Sequence, residues 1–266
     1  MVFKFVWGTM KIKVDGKTVS ATIRGEGPTI ILLHSLLADS GSFARIIQPL
    51  SQIARVIAVD LPGFNGSDHI DGDMSLIADH LAKVVIQLSE ESSSIILGNG
   101  FGGFLALQIA TRHPAIVRRL LVADAGAAFS EAGRQAFRNL ADAAAKRGLE
   151  AIVDTVMRRL FSPEFRQENP ALIRERQEAF LKINSQTFQN ACVGLSSLDI
   201  RAEVRGLSIP VLVLVGEQDE ATPPAMSVEL TSLLSDSRLI VLPGCAHVPQ
   251  LQMPDLFLES IRDFIV

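Results

Sequence analysis

Two residues late in the chain, Asp219 and His247, are of the types that together make a general base. A carboxylate beside an imidazole fixes its tautomer and stabilises the cation formed when it takes a proton. Asp219 follows the apolar run of "VLVLVGEQD" and His247 follows "RLIVLPGCAH", each where a strand would give way to a loop. Gly244 and Pro249 frame His247 in turn-like sequence, as a base on a loop requires. Upstream, "SSSIILGNGFGGFLALQIA" (92–110) reads as an apolar strand, a glycine-dense corner and an apolar helix. A corner of that kind either cradles a phosphate or lifts a catalytic serine out of a sheet. At its middle stands Gly100, which has no side chain to attack with.

The corner fits two templates. Gly98, Gly100 and Gly103 satisfy G-x-G-x-x-G, and Asp124 follows roughly 20 residues later, as in a dinucleotide-binding fingerprint. The second template is the nucleophile elbow, G-x-S-x-G, with Gly100 in the serine position. The elbow accounts for more of the chain. A dinucleotide fingerprint normally uses the first strand of its unit, whereas this corner follows earlier strand-like runs. His34-Ser35-Leu36 ends one of those runs, where an oxyanion donor belongs, and the order elbow, acid, histidine is the α/β-hydrolase order.

The elements that must position these residues are apolar runs: "TIILLH" (29–34), "RVIAVD" (55–60), "SIILG" (94–98), "RLLVAD" (119–124), "PVLVLVG" (210–216) and "RLIVLPG" (238–244). Continuous runs mark parallel strands covered on both faces. They alternate with helical stretches, so the fold class is α/β, with a mostly parallel, doubly wound sheet. "KIKVDGKTVSATIR" (11–24) reads as a hairpin turning at Asp15-Gly16. From about 128 to 205 the spacing is helical with no clear strand, divided at Asn169-Pro170. The expected organisation is a core in two parts, residues 1–127 and 206–266, with residues 128–205 inserted as a helical lid over the strands' C-terminal edge.

With 266 residues, 48% of them apolar and 20% charged, the chain can build one large core. A net charge of −4 gives no electrostatic reason to expect a nucleic-acid partner. No run approaches the roughly 20 apolar residues of a membrane span. The opening "MVFKFVWGTMK" lacks a secretory apolar core and cleavage site, and residues 1–9 read as an extension ahead of a first strand at Met10. A cytoplasmic location is expected, with the oligomeric state open. Cys192 and Cys245 have no CxxC or metal-ligand spacing and read as inert thiols in a reducing compartment, although Cys245 lies close enough to His247 to check for thiolate character. Neither a metal nor a cofactor is expected.

Other candidates have bland readings. His34 reads as a satisfied polar residue that buttresses its loop, Asp60 as the organiser of its turn, and His113 as helix-end punctuation before Pro114. His69 and His80 have no visible partner in the sequence. Arg158-Arg159 and Arg174-Glu175-Arg176 read as solvated helix faces, the alternative being an arginine that grips a substrate carboxylate. Phe129, Phe161, Phe165, Phe180 and Phe188 read as packing between lid and core, with one or two lining a pocket.

At these residues the chain resembles the α/β-hydrolase superfamily over nearly its whole length. "DLPGFNGSD" (60–68) is similar to the D-x-P-G-x-G-x-S-D segment of many members. "GEQDEATPP" (216–224) and "LPGCAHVPQLQMPDLF" (242–257) resemble the 3-oxoadipate enol-lactonase branch and its carboxylic-ester hydrolase relatives. The usual G-[HN]-S-[MLF]-G-G reads here "GNGFGG", departing at the one residue that defines serine hydrolysis. The resemblance implies His247 as base, Asp219 as its orienter with Asp124 as the alternative acid, and Gly100 at the vacated nucleophile position. The N–H groups of Leu36 and Phe101 would form the oxyanion pocket. It further implies a small carboxylated ester or lactone as substrate; because the elbow serine is absent, a water activated by His247 would attack it directly. A lyase, isomerase or decarboxylase working through an enolate in the same pocket, and a silent ligand binder, remain as alternatives. An introduced glycine at position 100 would read the same way.

Overall fold

Strands that are apolar on both faces need helices on both faces, and the folded chain meets that demand. The computed structural model describes residues 9–266; the opening segment, apart from Thr9, lies outside the described residues. Thr9 already belongs to the first strand, so the extension ends one residue earlier than its sequence suggests. Eight strands, β1 (Thr9–Val14), β2 (Lys17–Arg24), β3 (Thr29–Leu33), β4 (Arg55–Val59), β5 (Ser94–Asn99), β6 (Val117–Ala123), β7 (Val211–Gly216) and β8 (Ser237–Leu242), form one sheet. Their order is β1-β2-β4-β3-β5-β6-β7-β8. β2 runs antiparallel to β1 and to β4, and the other neighbouring pairs are parallel. Asp15 (φ 49°) and Gly16 (φ 77°) make the β1–β2 turn, the left-handed pair that a tight hairpin selects.

Helices α1 (Ala44–Leu50), α2 (Met74–Leu88) and α3 (Phe101–Arg112) lie between the early strands. Between β6 and β7 come α4 (Glu131–Arg147), α5 (Val153–Leu160), α6 (Pro163–Glu168), α7 (Pro170–Phe180), α8 (Ser185–Ser197) and α9 (Arg201–Val204). Asn169-Pro170 indeed separates two of them, with proline at the start of α7, where its missing N–H costs nothing. The chain closes with α10 (Pro224–Leu233), α11 (Pro249–Gln252) and α12 (Pro254–Ile265). Successive side chains of a strand point to opposite faces, and β3 divides accordingly. Ile31 and Leu33 join the core with Leu81 of α2 and Leu105 of α3, while Ile30 and Leu32 pack with Ile46 of α1 and Phe257 of α12.

The inserted helices form a lid whose two ends are pinned together. Ile200 N–H donates to Ala127 O at 2.9 Å, beside an isolated bridge between Ala128 and Asp199. That bridge is the extended structure among the described residues of a stretch that reads as wholly helical. No helix among the described residues is long and apolar enough to cross a membrane.

Parallel strands bring their C-terminal ends to one edge, and the candidate residues gather there. Ser35 follows β3, Gly100 follows β5, Asp124 follows β6, Asp219 follows β7 and His247 follows β8. At the start of α3, Gly102 N–H donates to His34 O at 3.0 Å, an approach so close that a Cβ on Gly102 would collide with the Leu33 carbonyl. Gly102→Ala is expected to lower stability by about 3 kcal/mol in urea unfolding, because the clash is with backbone rather than a movable side chain.

Candidate active site

Beyond β7 the chain turns sharply, and the Asp219 carboxylate holds that turn. Its Oδ1 accepts from the N–H groups of Ala221 (2.8 Å) and Thr222 (3.1 Å), and its Oδ2 accepts from the Thr222 hydroxyl (2.6 Å). The N-cap of α10 is Pro223, without a side-chain bond, so Asp219 shapes the turn ahead of that helix rather than capping it. Oδ2 also faces His247 Nδ1 at 2.9 Å. A ring nitrogen facing a carboxylate carries the proton, which leaves Nε2 bare and available as an acceptor. Asp219 and His247 are both buried. Burial works against ionisation of Asp219, but His247 and the hydrogen bonds from His247 and Thr222 outweigh it and hold the carboxyl below its ordinary range.

The loop that presents His247 is anchored at several points. Its N–H donates to Leu160 O at the end of α5 (3.2 Å), and its carbonyl accepts from Asn99 Nδ2 (2.9 Å). Asn99 Oδ1 in turn accepts from Gln250 Nε2 (3.0 Å), so the last residue of β5 ties the elbow to the histidine loop.

Gly100 sits at φ 53°, ψ −118°, between β5 and α3. This is a nucleophile-elbow backbone, which strains any residue with a Cβ and which glycine adopts freely. A Cβ there would lie 2.5 Å from Ser35 Oγ and 2.7 Å from His247 Nε2. The Ser35 hydroxyl itself stands 3.2 Å from that Nε2. Leu36 and Phe101 flank the same spot, and among the described residues their N–H groups donate to no protein acceptor. The pocket above has an empty volume of about 310 Å³, counting its mouth. Phe104, Phe129 and Phe137 line it with Arg159 of the lid.

Asp124, the alternative acid, is in the same buried cluster but makes no hydrogen bond to His247. Its Oδ1 accepts from Gly216 N–H (2.9 Å) and its Oδ2 from Asn99 Nδ2 (3.2 Å). Burial first, and then the adjacent Asp219 charge, push its carboxyl well above the ordinary range. Negative charge is therefore concentrated on Asp219, which faces the imidazole. Donor atoms of Asp124, Asp219 and His247 lie within 4.8 Å of one another, a spacing a metal could use. Within that cluster the imidazole and the Asp219 carboxylate are already hydrogen-bonded to each other.

Several sequence readings take definite form. His34 is fully buried, with Nδ1 donating to Ser35 O (2.9 Å) and Nε2 accepting from Leu61 N–H (3.1 Å), so it buttresses two loops. Asp60 accepts from Ser40 and Asn65 and organises its turn. His69 bridges Thr187 and Asp71, and His113 meets Asp79 at the end of α3. Burial pushes the Cys192 and Cys245 thiols up, away from thiolate character. Two basic residues depart from the solvated-face reading. Arg176 is buried and pairs with Asp39 (2.7 Å) and Glu175 (2.6 Å), joining α7 to the loop after β3. Arg159 lines the pocket and, among the described residues, has no hydrogen-bond or ion-pair partner. Phe129 is the pocket-lining member of the lid phenylalanines named above, and Phe137 joins it unannounced. The sequence reading assigned no role to Thr222, to Asn99 or to the Ser35 hydroxyl.

A family model described as the alpha/beta hydrolase fold matches residues 28–254. The chain belongs to the α/β-hydrolase family. It is 26% identical over 90% of its length to a pimeloyl-[acyl-carrier protein] methyl ester esterase of Nitrosospira multiformis, covering 95% of that protein. It is 25% identical to 3-oxoadipate enol-lactonase 1 of Acinetobacter baylyi, with 94% of each chain covered. The enol-lactonase structure from Burkholderia xenovorans LB400 superposes with a TM-score of 0.90 at 23% identity, over 96% of this chain and 99% of that one. The likeness thus runs to the esterase and lactonase branch of this α/β-hydrolase family.

The raised Asp124 pKa has a measurable consequence. A group whose folded pKa is raised contributes stability below its unfolded value, near 3.8, that is lost as pH rises toward the folded value. Asp124→Asn mimics the protonated acid and carries no such proton. Urea unfolding should show the wild-type protein losing stability with pH above about 4, at up to about 1.4 kcal/mol per pH unit, relative to Asp124→Asn.

Proposed function

We propose that this α/β-hydrolase cleaves a small carboxylated ester or lactone, with His247 as general base, Asp219 as its orienter, and the N–H groups of Leu36 and Phe101 as the oxyanion pocket. The observation that supports this most is the buried Nδ1–Oδ2 contact of 2.9 Å, with Nε2 turned to the elbow. A neutral Nε2 accepts the proton of an attacking oxygen, and Asp219 stabilises the imidazolium that results. Unpartnered main-chain donors suit the negative charge that develops on the carbonyl oxygen, and they do not depend on a side chain at position 100. Water is the oxygen that must finally enter the product.

Arg159 supports the carboxylated substrate. Among the described residues Arg159 has no acid at ion-pair distance; burial works against its charge, and the more distant Glu220 and Asp219 carboxylates offset that only in part. A ligand carboxylate would restore that balance through paired N–H···O bonds. The similar proteins include an esterase and an enol-lactonase by name, in keeping with an ester or lactone substrate.

His247→Ala is expected to lower kcat/KM on a panel of dicarboxylic half-esters and lactones by on the order of 10³-fold or more. Product formed in ¹⁸O-water must carry label in a new carboxyl group; enolate chemistry without such label would favour the lyase or isomerase alternative, and ligand retention without turnover the silent binder. Arg159→Met should raise KM for carboxylated esters by about 10- to 100-fold and leave neutral esters nearly unchanged. Equal effects on both would remove the argument for a carboxylate.

A further inference from the structure

The Ser35 hydroxyl lies where an elbow side chain would otherwise stand. We propose that Ser35, presented from the loop after β3, is the nucleophile of this protein, replacing the hydroxyl absent at Gly100. The inference deepens the hydrolytic reading above and rests on it. Ser35 is 1% exposed, lines the pocket beside Gly100 and Phe101, and places its Oγ 3.2 Å from His247 Nε2. Nδ1 of that ring holds its proton against Asp219 at 2.9 Å, so the Ser35 hydroxyl donates to a bare nitrogen. Serine, histidine and aspartate therefore form one continuous hydrogen-bonded chain, the relationship that activates a hydroxyl.

Position is as telling as partnership. A Cβ built on Gly100 would lie 2.5 Å from Ser35 Oγ, too close for both to be accommodated as they stand. The two positions compete for one volume, and in this chain Ser35 fills it. The serine is also held from both sides of its peptide. Its carbonyl accepts from His34 Nδ1 (2.9 Å) and Ala38 N–H (3.2 Å), while His34 O accepts from Gly102 N–H (3.0 Å) at the start of α3. These bonds lock the loop after β3 onto the elbow, so the hydroxyl approaches Nε2 from a rigid support. The unpartnered N–H groups of Leu36 and Phe101 border the same point.

The reaction balances with water as the only co-reactant. Ser35 Oγ bonds to the substrate carbonyl carbon as its proton passes to Nε2. His247 then gives that proton to the departing alkoxide as the carbon–oxygen bond breaks, leaving an acyl ester on Ser35. Water attacks this ester, loses a proton to Nε2, and the proton returns to Oγ as the acid product leaves.

A serine-directed fluorophosphonate applied to the full chain, followed by peptide mass mapping, tests the assignment alongside kinetics of Ser35→Ala and His247→Ala. The expected adduct is on Ser35, lost in both variants, and turnover in Ser35→Ala falls by on the order of 10³-fold or more with its thermal midpoint preserved. An adduct on another residue, no adduct at all, or turnover retained within a few-fold in Ser35→Ala would overturn the assignment. If His247→Ala alone loses turnover, hydrolysis stands with water attacking directly, and only the Ser35 assignment falls. If turnover survives both variants, hydrolysis proceeds without this site and the roles of Ser35 and His247 both fall; if the wild-type chain binds such esters and turns none over, the hydrolytic reading itself falls. Should Ser35→Ala misfold, mapping of the adduct on the wild-type chain still decides.

Discussion

A single carboxylate charge, kept where water cannot reach it, sets the terms for the rest of this molecule. Asp219 is 2% exposed, and an isolated ionised group at such a site would be forced to neutralise. It stays charged because donors converge on both oxygens: two main-chain N–H groups of its own turn, the Thr222 hydroxyl and the His247 imidazole. Removing any of them leaves the buried charge less compensated, so the turn after β7 and the loop after β8 are tied to one carboxylate. Asp124 sharpens the constraint. Two carboxylates in contact with one buried cluster cannot both ionise, and the hydrogen bonds decide in favour of the one that faces the ring.

That local demand is met by architecture. Parallel strands deliver their C-terminal ends to one edge, so residues far apart in the chain arrive together without any long reach of side chains. Asn99 then links the elbow to the histidine loop, and Gln250 completes the tie. The lid is joined to this edge by a neck at Ala127 and Ile200, by contacts such as Leu160 with His247 and Ser162 with Gln252, by the Arg176–Asp39 ion pair and by a shared apolar core. The sheet-edge floor holds the polar geometry, and floor and lid together supply the apolar lining, with Leu36, Phe101 and Phe104 from the one and Phe129, Phe137 and Leu195 from the other.

Much of the floor was legible in the sequence. Each of the central strands announced itself as a continuous apolar run because both its faces are buried, and the Asp15-Gly16 hairpin because its turn demands left-handed residues. Asp219 and His247 stood out by type and by their places after apolar runs. Ser35 did not, because its significance is a distance to a residue more than two hundred positions away, and no spacing rule encodes that. Thr222 was hidden for a different reason: a threonine next to two prolines looks like ordinary turn material until its hydroxyl is seen on the carboxylate. The lid charges misled because helical periodicity identifies an amphipathic face without saying what covers the other; Arg176 meets Asp39 across the molecule, and Arg159 faces the cavity.

The shared volume at Gly100 and Ser35 also constrains how such a protein can change over generations. Converting this arrangement to one with a serine on the elbow requires two substitutions, and neither order is smooth. Changing Ser35 first strips Nε2 of its hydroxyl, while changing Gly100 first crowds two side chains into a space for one. The two positions are therefore coupled through the volume they share, and a substitution at either one is felt at the other.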